Sequence, residues 1–175
     1  MAEPDGVGGA EMSGRVEFYA CLYVREFPAQ AMLRLRPSLR EKAVVVMEGD
    51  PPLQTVCAMN GRARKLGMER GMTRVEVETF AGVRVLARSL AEEAAARAVL
   101  LECAGTFSPR VEERSEDGVF LCVIDITGTD KLFGPPQALA EALVRRVRAL
   151  GVAGCVSVSG NFEAAICNAD RKSVV

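Results

Sequence analysis

Three groups of side chains in this 175-residue chain stand at spacings that bear on chemistry. The first ends the apolar run Phe18 to Val24, where Tyr23 and Arg25 precede Glu26 and a Phe27-Pro28 pair. Strand ends are where open α/β sheets gather ligands. A phenol and a guanidinium, however, do not hold a hard cation, which needs anionic or carbonyl oxygens. The second group is the charged turn Glu113-Arg114-Ser115-Glu116-Asp117-Gly118, followed by Asp125. Its acids read as a solvated turn rather than a metal site, and Asp125 as a structural residue bonding nearby backbone. The third is the basic cluster Arg62, Arg64, Lys65, Arg70 and Arg74. Arg64 can fork a phosphate bidentately; an exposed helix arginine or an ion pair is the competing reading. There is no histidine, so imidazole catalysis and imidazole metal ligation are excluded. The six cysteines (Cys21, Cys57, Cys103, Cys122, Cys155 and Cys167) show no metal-binding spacing and mostly sit in apolar runs. They read as reduced, buried small hydrophobes of a cytoplasmic protein.

The elements that must position these groups follow from periodicity and punctuation. Phe18 to Val24 lacks alternation, so the strand is covered on both faces. Pro28 opens a helix through Leu35, which Arg36-Pro37 stops. Ala43 to Met47 and Leu53 to Ala58 read as a hairpin around a turn rich in Gly and Pro. A short helix from Asn60 closes at Gly67, and Thr73 caps another. A strand spans Val83 to Ala87, and Ser89 caps a long helix to about Cys103. Strands at Ser108 to Glu112 and Val119 to Thr127 precede an amphipathic helix, Pro135 to Leu150. A last strand, Cys155 to Ser159, leads to a last helix, Phe162 to Ala169. This order predicts an α+β fold: a ferredoxin-like sheet with helices on one face and a small inserted lobe. Residues 1–15 read as a disordered Gly-rich segment, 16–42 and 81–175 as the main domain, and 43–80 as the insertion. No apolar run approaches the roughly 20 residues of a membrane span. A net charge of −1 gives no global field toward nucleic acid.

Four stretches in this order resemble the palm and fingers of Y-family (DinB/UmuC-like) translesion DNA polymerases. They are Ala20 to Ala29, Val56 to Met72, Ser108 to Glu112 with Val119 to Gly128, and Val156 to Ile166. The phrases Phe107 to Glu112 and Ile126 to Gly134 look closest to the ImuB branch, in which the fold is kept and polymerase activity is believed lost. Such polymerases need carboxylates converging on two cations about 3.5–4 Å apart. The opening-strand aspartate of the family falls on Tyr23, a second, less constant acidic position on Arg25, and the steric-gate aromatic on Pro28. Anchored on Val111-Glu112, the hairpin's Asp-Glu pair falls near Asp117-Gly118; anchored on Ile124 to Thr127, it falls on Phe120-Leu121. Neither register restores the pair. The hydroxyl, tyrosine and arginine of the triphosphate grip fall on Ala58, Gly61 and Arg64, and a palm lysine on Asn161, so Arg64 alone survives.

The resemblance therefore implies a non-catalytic polymerase-like adaptor in DNA repair and damage-induced mutagenesis. It would bind no Mg²⁺ and touch DNA only weakly, through Arg62, Arg64, Lys65, Arg70 and Arg74. Its implied partners are a sliding clamp, an error-prone replicative-type polymerase and a second accessory protein. The thumb and little-finger domains that follow in the family are expected to be absent from this chain. Two alternatives stand beside this reading: an active translesion polymerase fragment with relocated carboxylates, and a nucleotide- or DNA-binding module reusing the palm cleft.

Overall fold

The computed structural model describes residues 16–172. The segment 1–15, expected to be disordered, lies outside the described residues, as do 173–175. The central strand β1 (Tyr19–Arg25) is buried on both faces, as its unbroken apolar run requires. Ala20, Leu22 and Val24 point to one side and Tyr19, Cys21 and Tyr23 to the other. Antiparallel partners flank it, β6 (Val119–Asp125) on one edge and β7 (Cys155–Ser159) on the other, and β5 (Val111–Glu113) extends the β6 side. The order β5-β6-β1-β7, with its helical crossovers, is the predicted ferredoxin-like arrangement.

Three helices cover the first face. α1 (Phe27–Leu33) has Pro28 in its first turn, where the missing N–H breaks no helical bond. α5 (Leu90–Gly105) buries Glu93, Ala96, Leu100, Cys103 and Ala104, spaced three and four apart on one stripe. Its N-cap, Ser89, accepts from the Glu92 amide at 3.3 Å. α7 (Pro136–Ala149) buries Leu139, Ala140, Leu143 and Val147 and sends its arginines outward. Phe27 and Phe120 stack in this core with ring centroids 5.5 Å apart. The helical layer is not confined to that face. α8 (Phe162–Lys172) packs Ala165 and Ala169 against Cys21, Leu121 and Val123 on the other. Because β1 and β6 are apolar on both sides, one helical layer would leave Cys21 and Val123 wet.

The small lobe is a second sheet, ordered β3-β2-β4. β2 (Val44–Glu48) and β3 (Thr55–Met59) form the expected hairpin. β4 (Arg84–Ala87), within the 81–175 segment assigned to the main domain, pairs parallel with β2, Val44 opposite Arg84. The lobe's sheet thus draws its third strand from beyond residue 80. α3 (Gly61–Lys65) is capped by Asn60, whose side chain accepts from the Ala63 amide, and Gly67 follows with φ +90°. α4 (Arg74–Glu78) carries a full capping box between Thr73 and Glu76. Two four-residue helices escape the periodicity reading, α2 (Pro37–Arg40) and α6 (Asp130–Phe133), being too short to show a repeat. Among the described residues no helix is long and apolar enough to cross a membrane.

Candidate interlobe site

A cleft of about 620 Å³ opens where the end of β1 meets the small lobe. Its lining includes Tyr23, Arg25, Glu26, Met59, Arg64 and Arg70. Two of the three predicted groups therefore meet here, the strand end and part of the basic cluster. The third, the hairpin turn, meets the cleft where Gly118 packs on Arg70 and the next residue, Val119, joins the lining.

The organising residue is Glu26, which the sequence reading passed over. It occupies the N-cap of α1 with φ 51° and ψ 41°, and is the single non-glycine residue at positive φ among the described residues. Holding such a residue left-handed costs of order 1 kcal/mol. Its side chain makes no capping bond. Instead the carboxylate, 12% exposed, turns into the cleft. One oxygen accepts from the Arg64 guanidinium at 2.6 Å. The other accepts from the Met59 amide at 2.9 Å and stands 3.2 Å from the Arg70 guanidinium. A sequence signal existed: glutamate is a poor helix cap, so an acid directly before Phe27-Pro28 needs another partner.

Arg70 in turn lies against Gly118. A Cβ there would come within 3.1 Å of the guanidinium, and Gly118 itself has φ +78°. The Gly118 carbonyl accepts from the Phe27 amide at 2.9 Å, tying the hairpin turn to the residue after Glu26.

Asp117 faces elsewhere. Its carboxylate, 79% exposed, pairs with Arg88 at 2.8 Å. Arg88 is 16% exposed and also bonds Glu93 and Glu48, each at 2.7 Å. The hydrogen bond from Arg88 holds the Asp117 carboxyl below the usual aspartate range, and the three carboxylates, Glu93 foremost, raise the Arg88 pKa.

The strand register fixes what faces the end of β1. Tyr23 stands opposite Leu121 and Arg25 opposite Val119, in a ladder without a break through Asp125. The position facing Tyr23 is therefore an aliphatic side chain, and Phe120 points into the core. The Tyr23 phenol is pushed above its ordinary pKa by burial and by its hydrogen bond to Asp170 on α8. A neutral phenol, a guanidinium and a leucine do not make a seat for a hard divalent cation. Among the described residues no group of three or more Asp, Glu, His or Cys side chains could hold a metal ion.

The remaining predicted residues disperse. Arg62 pairs with Glu41, and Arg74 with Glu78 at 2.7 Å. Lys65 is exposed on α3. Ala58 is buried against α1, and a Cβ added at Gly61 would meet nothing within 4 Å. Asn161 caps α8, its side chain accepting from the Ala164 amide at 3.0 Å. Asp125 bonds the Thr127 amide at 2.9 Å and pairs with Arg110 at 2.7 Å. Burial pushes the Cys21 thiol up to about 12 and the Cys57 thiol up to about 11, while Cys167 is exposed on α8.

Comparison with known proteins bears on this geometry. A family model described as IMS, the impB/mucB/samB family, matches residues 22–169. No curated protein matches the chain. Among solved structures, an insertion ternary complex of Dbh DNA polymerase superposes with a TM-score of 0.74 at 21% identity, covering 88% of this chain and 46% of that one. DinB from Sulfolobus solfataricus superposes with a TM-score of 0.73 at 21% identity, with coverage of 88% and 45%. A post-insertion binary complex of Dbh DNA polymerase gives 0.75 at the same identity, with coverage of 88% and 45%. The chain thus spans just under half the length of these structures. At this identity the likeness shows the shared fold.

Proposed function

The chain belongs to the impB/mucB/samB family, and from that premise we propose that it is a non-catalytic, Y-family polymerase-like protein acting in translesion synthesis as an adaptor. The observation that carries the proposal is the loss of convergent carboxylates at the end of β1. Tyr23 faces Leu121, Arg25 faces Val119, and Asp117 is bound to Arg88 outside the strand ladder. Two-metal phosphoryl chemistry needs anionic oxygens aimed at one point, and these residues supply none there. In this reading the fold survives as a scaffold, in the manner of the ImuB branch. Its partners in damage-induced mutagenesis would be a sliding clamp, an error-prone replicative-type polymerase and a second accessory protein, with DNA itself bound weakly. The solved complexes named above are polymerases, which supports DNA transactions as the setting and leaves synthesis to be tested.

The deciding experiment is a Mn²⁺ relaxation titration, because it reads a metal site directly and needs no DNA. No stoichiometric site tighter than millimolar is expected. A site that appears with the wild-type chain and disappears in Asp117→Asn would overturn the proposal in favour of an active polymerase with relocated carboxylates. Primer extension with Mg²⁺ and Mn²⁺ accompanies it, and templated incorporation would have the same consequence.

A further inference from the structure

The arginines of the predicted basic cluster are neutralised within the chain: Arg62 by Glu41, Arg64 and Arg70 by Glu26, and Arg74 by Glu78. A different group is not. Where α1 ends and α7 turns into β7, Arg34, Arg40 and Arg148 have no carboxylate partner among the described residues. Arg40 is spread over main-chain carbonyls, donating from Nε to Leu33 at 3.3 Å and from Nη2 to Arg34 at 2.9 Å and Gly151 at 3.4 Å. Those bonds leave the Arg40 charge without a counter-charge. Arg148 is exposed in the last turn of α7. The Arg34 Nε is buried with no hydrogen-bond partner among the described residues, an orphan donor of the kind folded chains avoid.

The turn after α7 gathers these groups. Gly151 has φ +82°, and a Cβ there would collide with the Arg40 guanidinium and stand 3.0 Å from the Arg34 carbonyl. Arg40 and Arg148 line a depression of about 320 Å³ walled by Leu33, Val152 and Ala153. Its other polar groups are engaged: Gln30 accepts from the Ala153 amide at 3.2 Å, and Asn60 from the Val44 and Ala63 amides at 3.1 and 3.0 Å. Like charges gathered without a counter-charge repel, so an anion from outside the chain gains from all of them at once. The lining selects that anion. Nucleic acid is held by cations strung along its phosphates, whereas these converge on one small depression with aliphatic walls. Leu35, two residues beyond Leu33, is 67% exposed and extends the apolar surface. A guanidinium fork matches a carboxylate, and an aliphatic wall suits the apolar residue beside it in a peptide.

We propose that this surface docks an acidic segment of a partner protein, in which Asp or Glu alternates with aliphatic residues. Its carboxylates meet Arg40 and Arg148, and its aliphatic side chains meet the wall formed by Leu33, Val152 and Ala153. The inference goes beyond the adaptor reading and does not rest on it: metal titration tests that reading, and peptide binding tests this one.

The test is fluorescence anisotropy of a short fluorescein-labelled peptide of repeating Glu-Asp-Leu, titrated with the whole 175-residue chain at low ionic strength. Saturation with Kd of about 10–100 µM is expected. A peptide of repeating Gln-Asn-Leu should bind at least about tenfold more weakly. Arg148→Glu, at an exposed position with no bond to lose, should weaken binding of the acidic peptide at least about tenfold, and Arg40→Gln should act in the same direction. Arg84→Glu makes the same charge change at an exposed position on β4 and should leave Kd within about twofold. The proposal is overturned by absence of saturation with the wild-type chain, by equal affinity for the two peptides, or by Arg148→Glu and Arg84→Glu acting alike. Tighter binding of a labelled oligothymidylate, lost in Arg148→Glu, would also overturn it and make the surface a nucleic-acid site.

Discussion

The main sheet's core and the seam between its end and the small lobe are built from opposite materials. Around β1 the contacts are aliphatic and aromatic: Ala20, Leu22, Val24, Phe120, Cys122 and Ile124 on one face, Cys21, Leu121 and Val123 on the other. At the seam two polar nodes meet, Glu26 with Arg64 and Arg70, and Arg88 with Glu48, Glu93 and Asp117. The hairpin turn joins them, since Asp117 belongs to one node and Gly118 packs on Arg70 of the other. Apolar burial is non-directional and sets overall stability. Charged nodes add less net stability, because desolvation offsets their attraction, but they specify orientation. The difference teaches that the two regions place different demands on their residues. Its core needs only size and shape, whereas its seam holds arginines and carboxylates that satisfy one another.

The largest expected effect tests the core. Phe120→Ala removes a fully buried ring stacked on Phe27 and should cost about 3–5 kcal/mol in urea or thermal unfolding. A loss below about 1 kcal/mol would mean that the seam, not the core, carries the stability.

A smaller effect tests the seam. Arg88→Ala strands the Glu93 carboxylate, which is 8% exposed, and should cost about 2–3 kcal/mol. The accompanying replacement of Glu93 by Gln should recover part of that loss in a double-mutant cycle. Strict additivity would show that the two side chains do not act as a node.

The smallest effect concerns pH. Arg88 lowers the Asp117 pKa and Arg36 lowers that of Glu92, so both carboxyls release protons more readily folded than unfolded. Their contribution is fully present above their unfolded values, near 3.9 and 4.3, and is lost as pH falls through the lower folded values. The unfolding midpoint should therefore be flat from about pH 6 to 7.5 in a chain without histidine and decline below about pH 4.5. Asp117→Asn should make the acid limb shallower without altering the plateau. An unchanged limb would remove Asp117 from the node.

Much of this architecture was legible in the sequence. The unbroken run of β1 announces burial on both faces, and Asn60, Thr73 and Ser89 announce three helix starts, because apolar periodicity and capping are local properties of the chain. That a phenol and a guanidinium, Tyr23 and Arg25, stand at the end of β1 is likewise a matter of residue type at one strand end. Other features depended on the docking of segments far apart. The second helical layer on α8, the pairing of β4 with β2 and the placing of Leu121 rather than Asp117 opposite Tyr23 follow from strand register and packing between distant elements. The roles of Glu26 and Arg88 follow from the same cause. Glu26 reads as an ordinary charged turn residue until the small lobe brings Arg64, 38 positions away, to its carboxylate. Charge on a side chain is written locally; its partner is chosen only when the backbone closes the distance between them.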